Sequence, residues 1–120
     1  MIKESEIQKM IFQWASLQQG KYPFLELMYH VPNGGSRHIL EAVNLKKQGV
    51  KAGVPDIVLP VPKGGYHGLY LELKALKGKL SDSQKDWLIK LDKQGYKTEI
   101  AYSFDEAIDK IKKYIESEEI

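Results

Sequence analysis

Two short apolar runs joined by a pair of glycines constrain the fold of this chain more than any other feature. The first run extends from Asp56 to Val61 and the second from Gly68 to Lys74, with Lys63-Gly64-Gly65 between them. In the second run apolar and polar residues alternate, as in a strand that sends successive side chains to opposite faces of a sheet. Because glycine pairs favour tight turns, this part of the sequence predicts a β-hairpin.

Helical and strand-like segments alternate through the rest of the chain. The first helix carries an apolar stripe at Ile7, Met10, Ile11, Trp14 and Leu17. Capping boxes are predicted at Ser81/Gln84 and Ser103/Glu106, where a hydroxyl and a side chain three residues later satisfy free backbone N–H groups. In chain order we expect helix 5–19, strand 24–31, helix 37–48, the two hairpin strands, a helix between Ser81 and Gly95, strand 97–102 and a helix after Ser103.

This order indicates an α/β fold. A hairpin followed by a strand–helix–strand crossover predicts a mixed four-stranded sheet with flanking helices, in the order αβαββαβα. With 120 residues, the chain is expected to form a single domain over residues 1–120.

Composition excludes several classes of function. The chain has no cysteine, so disulfides, cysteine-type zinc sites and thiol nucleophiles are ruled out. No apolar stretch approaches the roughly 18 residues of a membrane span, and the first residues lack the apolar core of a signal peptide. We therefore expect a cytoplasmic protein with no membrane partner. The net charge of +2 is too small to establish a polyanionic partner.

The hairpin also carries the residues with the strongest chemical signal. Asp56 opens the first strand, and Glu72 and Lys74 project from one face of the second, about 7 Å apart. Two carboxylates with the backbone carbonyl of Leu73 suit Mg²⁺ or Mn²⁺, which prefer oxygen ligands and retain several waters. Lys74 is placed to orient or deprotonate an attacking water, or to offset charge on the transition state. The sequence favours neither role, and the same pattern also occurs as a plain surface ion pair.

Four sequence segments in order carry a wider resemblance. They are Gly49 to Asp56, then Leu71-Glu72-Leu73-Lys74, then Gly78 to Gln84 with the pattern Gly-Lys-Leu-Ser-x-x-Gln, and finally Leu91 to Gly95-Tyr96. Together they resemble the virus-type replication–repair nuclease (VRR-NUC) domain of the PD-(D/E)xK nuclease superfamily, over essentially the whole chain. The resemblance implies a restriction-endonuclease-like core, and none of the three core positions departs from the pattern.

Family resemblance also implies roles for single residues. Asp56 and Glu72 correspond to the metal ligands and Lys74 to the catalytic lysine. Gln84 corresponds to a glutamine that supports the site or contacts the scissile strand, although it is also the expected partner in a capping box. Glu6 corresponds to an additional acid from the first helix and is otherwise an exposed helix residue.

A second group of polar residues is expected to contact nucleic acid. Arg37, the one arginine of the chain, follows Asn33 and Ser36 in a loop that leads into a predicted helix, where backbone N–H groups favour a phosphate. Lys77 and Lys79 are placed to contact phosphates, as part of a lysine-containing segment. The alternatives are an ordinary capped loop and ordinary solubilising lysines. The three histidines show no spacing suited to a shared metal.

The resemblance implies a Mg²⁺- or Mn²⁺-dependent DNA-repair endonuclease. Stand-alone phage and bacterial members are small homodimers that act on branched DNA such as the four-way Holliday junction, so we expect DNA and a second copy as partners. A fused eukaryotic form belongs to a flap-cutting nuclease. The alternatives are therefore a monomeric flap- or end-acting nuclease and a non-catalytic module that binds branched nucleic acid.

Overall fold

The structure is a computed structural model in which residues 2–32, 39–75 and 78–117 are described. Its elements follow the order predicted from the sequence, with one additional 3₁₀ helix before the first strand. The elements are α1 (Glu4–Gln18), the 3₁₀ helix (Pro23–Leu27), β1 (Tyr29–His30), α2 (Ile39–Lys47), β2 (Ile57–Leu59), β3 (Leu69–Leu73), α3 (Asp82–Lys93), β4 (Lys97–Ala101) and α4 (Phe104–Ile115).

The four strands form one mixed sheet in the order β1-β2-β3-β4. β1 and β2 are antiparallel, as are β2 and β3, whereas β3 and β4 are parallel and are connected through α3. Ile57 lies opposite Leu71 in the central pair. The predicted fold class is confirmed, and the centre of the sheet is the predicted hairpin.

The hairpin ends in a tight turn at the glycine pair. Lys63 and Tyr66 exchange backbone hydrogen bonds of 3.2 and 2.9 Å, and Gly64 and Gly65 between them have φ values of 56° and 86°. Two successive positive φ angles are typical of a type I′ turn, which suits glycine because it has no Cβ. β2 is shorter than predicted, since Pro60 cannot donate a ladder hydrogen bond.

The main core lies between the sheet and helices α1 and α4. Ile11 and Ile111 are completely buried there, against Ile57 and Leu71 of the central strands. The stripe predicted for α1 is wrong in part, because Leu17 is 79% exposed and Ala15 is buried instead. Buried positions therefore recur at residues 7, 11 and 15, which rotates the buried face of the helix relative to the prediction.

The strand predicted over residues 24–31 is wrong for most of its length. Residues Pro23–Leu27 form a 3₁₀ helix, and only Tyr29–His30 pair with β2. Proline at the helix start supplies a suitable φ without needing an N–H partner. The buried side chains in this segment are Leu25 and Met28, and a spacing of three places them on one side of a 3₁₀ helix.

The two predicted capping boxes differ in the structure. At α3 the box is complete: the Ser81 hydroxyl accepts from the Gln84 N–H at 3.2 Å, and Gln84 Oε1 accepts from the Ser81 N–H at 2.9 Å. At α4 Ser103 accepts from the Glu106 N–H, but the Glu106 carboxylate accepts from Tyr102 instead of closing the box. Among the described helices, none combines the length and apolar character that crossing a membrane requires.

Candidate active site

Strand register brings Asp56 and Glu72 together. Ile57 pairs with Leu71 in the antiparallel β2–β3 ladder, so the next opposing positions are Asp56 and Glu72. The two side chains share a hydrogen bond. Asp56 Oδ2 also accepts a hydrogen bond of 2.8 Å from the Leu73 N–H, which fixes the orientation of its carboxylate at the end of the sheet. Two residues that are distant in sequence therefore form a carboxyl pair.

Glu72 is the buried partner of this pair and is only 1% exposed. Loss of solvation raises the pKa of its carboxyl to about 9, with further raising contributions from the hydrogen bond to Asp56 and the negative charges of Asp56 and Glu4. The Oε2 atom of Glu72 is buried and has no hydrogen-bond partner among the described residues. A buried carboxylate oxygen without a partner is costly, so the site favours either a proton or a cation.

Lys74 supplies positive charge next to this pair. Its backbone N–H donates to Ala101 O at 2.9 Å, which continues the parallel β3–β4 pairing beyond Leu73. Its ammonium group opposes the rise in the pKa of Glu72, so the two side chains are electrostatically close. Lys74 is half-buried and leaves the strand on the same face as Glu72.

A cavity of about 300 Å³ opens beside Asp56. The N-terminal turns of α1 form one wall, where the Glu4 carboxylate accepts a 3.3 Å hydrogen bond from the Ala75 N–H. His30 forms part of another wall, and its Nδ1 donates to Asp56 O at 2.9 Å. The lining residues are Glu4, Ser5, Gln8, His30, Pro32, Asp56 and Leu73. The cavity gives a ligand access to one carboxylate of the pair.

The loop before Asp56 is held by close contact with α3. Gly53 has a φ of 89°, and a Cβ at this position would lie 2.7 Å from the Ser83 carbonyl carbon. Trp87 Nε1 donates to Ala52 O at 3.0 Å from the same helix. Thus two of the sequence motifs, Gly-Val-Pro-Asp and Gly-Lys-Leu-Ser-x-x-Gln, are in contact in the fold.

Comparison with known proteins decides the family. The sequence pattern of the VRR-NUC domain matches residues 2–105. The chain belongs to the VRR-NUC domain family. A solved structure described as a VRR_NUC domain protein aligns with a TM-score of 0.86 and 31% sequence identity, covering 99% of this chain and 93% of that chain. No significant match is found among curated proteins. Membership implies a nuclease of the PD-(D/E)xK type, a family that generally uses divalent metals and binds DNA.

The VRR-NUC structure positions Glu4, not Glu6, at the cavity. Glu6 is exposed and forms a salt bridge of 3.5 Å with Lys9 on the outer side of α1. Glu4, in contrast, is close enough to Glu72 to raise its pKa. Glu4 and His30 were missed by the sequence prediction. The sequence contained a signal for Glu4, which is three residues before Ile7. Because residues three apart share a helix face and Ile7 is buried, Glu4 lies on the inward side of α1.

The other predicted site residues are not brought into this cavity. Gln84 completes the capping box of α3, so its side chain is occupied by the Ser81 backbone. Lys79 is exposed, outside the residues that line the cavity. Asn33, Ser36, Arg37 and Lys77 lie outside the described residues.

The donor set of the VRR-NUC site fits a hard divalent cation. Within residues 2–32, 39–75 and 78–117, no group of three or more His, Asp or Glu side chains is spaced to hold a metal. Mg²⁺ needs only one or two carboxylates when waters and a phosphate complete its shell. Asp56 and the unpartnered Oε2 of Glu72 meet this requirement. A ligand role for the carbonyl of Leu73 stays a prediction.

Proposed function

We propose that this chain is a Mg²⁺- or Mn²⁺-dependent endonuclease that hydrolyses phosphodiester bonds in branched DNA, with an activity like that of a Holliday-junction resolvase. The observation that carries the metal-dependent nuclease part of this proposal is the Glu72 carboxyl. It is buried, lacks a partner at Oε2 and lies beside Asp56, which lines the open cavity. Such an arrangement is costly to the fold, and a bound cation would offset that cost.

The residues of the chain have separate tasks in this mechanism. Asp56, oriented by the Leu73 N–H, and Glu72 would hold the metal, and Glu72 must lose its proton to do so. The bound ion would lower the pKa of a water and polarise the scissile phosphate. Lys74 contributes positive charge that stabilises the additional negative charge on the phosphate in the transition state, or it orients the water. The mostly buried surroundings strengthen both electrostatic effects.

Substitution of the carboxylates tests the proposed site. Asp56→Ala and Glu72→Ala should each reduce cleavage by at least about 10³-fold in Mg²⁺ while junction binding in Ca²⁺ persists. Glu6→Ala is the matched control, because Glu6 is an exposed acid of α1 outside the cavity, and it should cleave like wild type. Undiminished cutting by Asp56→Ala would overturn the site assignment.

A substrate panel tests the branched-DNA proposal. Labelled four-way junctions, flaps, splayed arms and plain duplexes are incubated with Mg²⁺ or Mn²⁺, and the products are mapped. We expect the junction to be cut first. Preference for flaps or free ends would support the monomeric alternative. Junction binding without cleavage in either metal would support the non-catalytic module.

We also propose that the chain acts as a homodimer through α2. No residue of this helix is buried, and Ile39 and Val43, one turn apart, are 78% and 46% exposed. Antiparallel pairing of α2 with its own copy would cover this apolar side, as two-fold symmetry permits.

Sedimentation tests this dimer. Wild type is expected to sediment as a dimer at micromolar concentration, and Val43→Lys as a monomer. Ile89→Lys, which alters an exposed apolar residue of α3, is the matched control and should remain dimeric. A wild-type monomer, or a dimeric Val43→Lys, would contradict the α2 interface.

The remaining predicted contacts stay proposals. Asn33, Ser36 and Arg37 would contact phosphates from their loop, as would Lys77 and Lys79. Gln84 would support the site only by leaving its capping hydrogen bond. The cytoplasmic location, in a bacterium or encoded by a phage, is likewise a prediction from the sequence.

A further inference from the structure

Three tyrosines, which we call the tyrosine row, extend from the carboxyl pair along the same face of the sheet. They are Tyr29, Tyr70 and Tyr96. Tyr70 precedes Glu72 by two residues in β3, so the two side chains leave the same face about 7 Å apart. Val58 pairs with both Tyr70 and Tyr29, which places the two tyrosines in one lateral line across β3, β2 and β1.

The members of the row are close to one another. The rings of Tyr70 and Tyr96 meet edge to face, with centroids 5.2 Å apart at an angle of 89°. Tyr29 and Tyr70 lie on either side of Val58, because each of them pairs with it from a neighbouring strand. Tyr29 at the open end is 50% exposed. The row thus runs from a ring fixed by packing to a ring that is accessible.

The inner end of the row is fixed by the backbone. His67 donates its N–H to Gly95 O at 2.9 Å, and its ring packs edge to face on Tyr96 with a centroid distance of 5.8 Å. Gly95 has a φ of 93°, and a Cβ there would lie 2.6 Å from the His67 ring. The Gly95-Tyr96 pair is therefore required for this close approach, which holds Tyr96 against Tyr70 before any ligand binds.

The lateral line of the row carries no charge that would repel a nucleic acid. It passes through Tyr29, Val58 and Tyr70, continues to Thr98 of β4 and contains no acid. Exposed aromatic rings are one means by which proteins bind unpaired nucleotides, because every base offers a flat face for stacking.

We propose that the tyrosine row is a stacking site for an unpaired nucleobase adjacent to the scissile phosphate. This inference rests on the proposed nuclease function, since Tyr29 pairs with Val58, two residues from Asp56, and this spacing places the base beside the cleaved bond. It selects substrates that expose unpaired bases next to the cut position. Tyr29, the most exposed ring, provides the stacking surface, and Tyr70 and Tyr96 support it.

Binding without cleavage tests the site. Anisotropy is measured in Ca²⁺ with an eight-nucleotide oligo(dT) and with a blunt duplex of similar length, using wild type, Tyr29→Phe, Tyr29→Leu and Tyr29→Ala. We expect Tyr29→Ala and Tyr29→Leu to bind oligo(dT) roughly tenfold more weakly, Tyr29→Phe to bind within about twofold of wild type, and duplex binding to change little. Circular dichroism melting confirms that each variant is folded.

Three results would overturn the proposal. They are unchanged oligo(dT) affinity in both Tyr29→Ala and Tyr29→Leu, an equal loss with the duplex, or a loss in Tyr29→Phe as large as in Tyr29→Ala. A branched substrate with 2-aminopurine at successive positions gives a second readout in Asp56→Asn, where fluorescence should be quenched most beside the mapped cut. Because the oligo(dT) anisotropy needs no cleavage, failure of the nuclease proposal is distinguishable from failure of the stacking site.

Discussion

Replacement of Glu72 by Gln should make the metal-free protein more stable while it abolishes cleavage. Burial and the neighbouring carboxylates raise the pKa of Glu72 from its ordinary value of 4.5 to about 9. Between these pH values the folded state holds one proton more than the unfolded state. The free energy of unfolding therefore falls as pH rises through this window, and the loss is complete above about pH 9. Gln resembles the protonated acid and cannot ionise, so it removes this dependence.

The size of the effect follows from the same pKa. One proton corresponds to about 1.4 kcal/mol per pH unit, so wild type at pH 7 has lost roughly 3 kcal/mol relative to its stability below pH 4.5. Glu72 is almost completely buried, so solvent screening reduces this value little. Glu72→Gln should be more stable than wild type by up to about 3 kcal/mol at pH 7, which corresponds to roughly 10 °C in melting temperature.

Urea unfolding in EDTA at pH 5, 7 and 8.5 measures the dependence. The difference in the free energy of unfolding between Glu72→Gln and wild type should widen as pH rises. Added Mg²⁺ should stabilise wild type but not the variant. Glu26→Gln removes an exposed carboxylate and is the control. The pH dependence of its free energy of unfolding should parallel that of wild type. If Glu72→Gln also parallels wild type from pH 5 to 8.5, the reasoning about the buried carboxyl is refuted.

Three further substitutions test the site and its support. Lys74→Ala should lower kcat by about 10² to 10⁴-fold in single-turnover cleavage, and a loss below tenfold would remove Lys74 from the mechanism. Gly53→Ala should lower the free energy of unfolding in urea by at least about 2 kcal/mol, because φ is 89° and the new Cβ would lie 2.7 Å from the Ser83 backbone. Unchanged stability would contradict that contact. Ser81→Ala removes the cap of α3 and should lower the free energy of unfolding by about 1 kcal/mol, measured by thermal melting. A decrease below about 0.3 kcal/mol, on the order of ordinary surface changes, would argue against the capping box.

The order of the elements could be predicted because local signals set most of them. The glycine pair at Gly64 and Gly65 fixed the hairpin turn, and Ser81 fixed the start of α3. The segment from Phe24 was predicted incorrectly, because a short apolar run has the same appearance in a strand and in a 3₁₀ helix. There the proline and the three-residue spacing of the buried side chains outweighed strand propensity.

By itself, the sequence determined through strand periodicity that Glu72 and Lys74 share a face, and through the glycine pair that a hairpin would bring Asp56 beside them. The tertiary structure decided which residues complete the site. Whether Glu4 or Glu6 reaches the cavity depends on how α1 rotates against the sheet, and packing of Ile7 and Ile11 sets that rotation. Likewise, the proton on Glu72 depends on burial by distant segments. Rotation and burial are properties of the packed chain, so local sequence could not supply them.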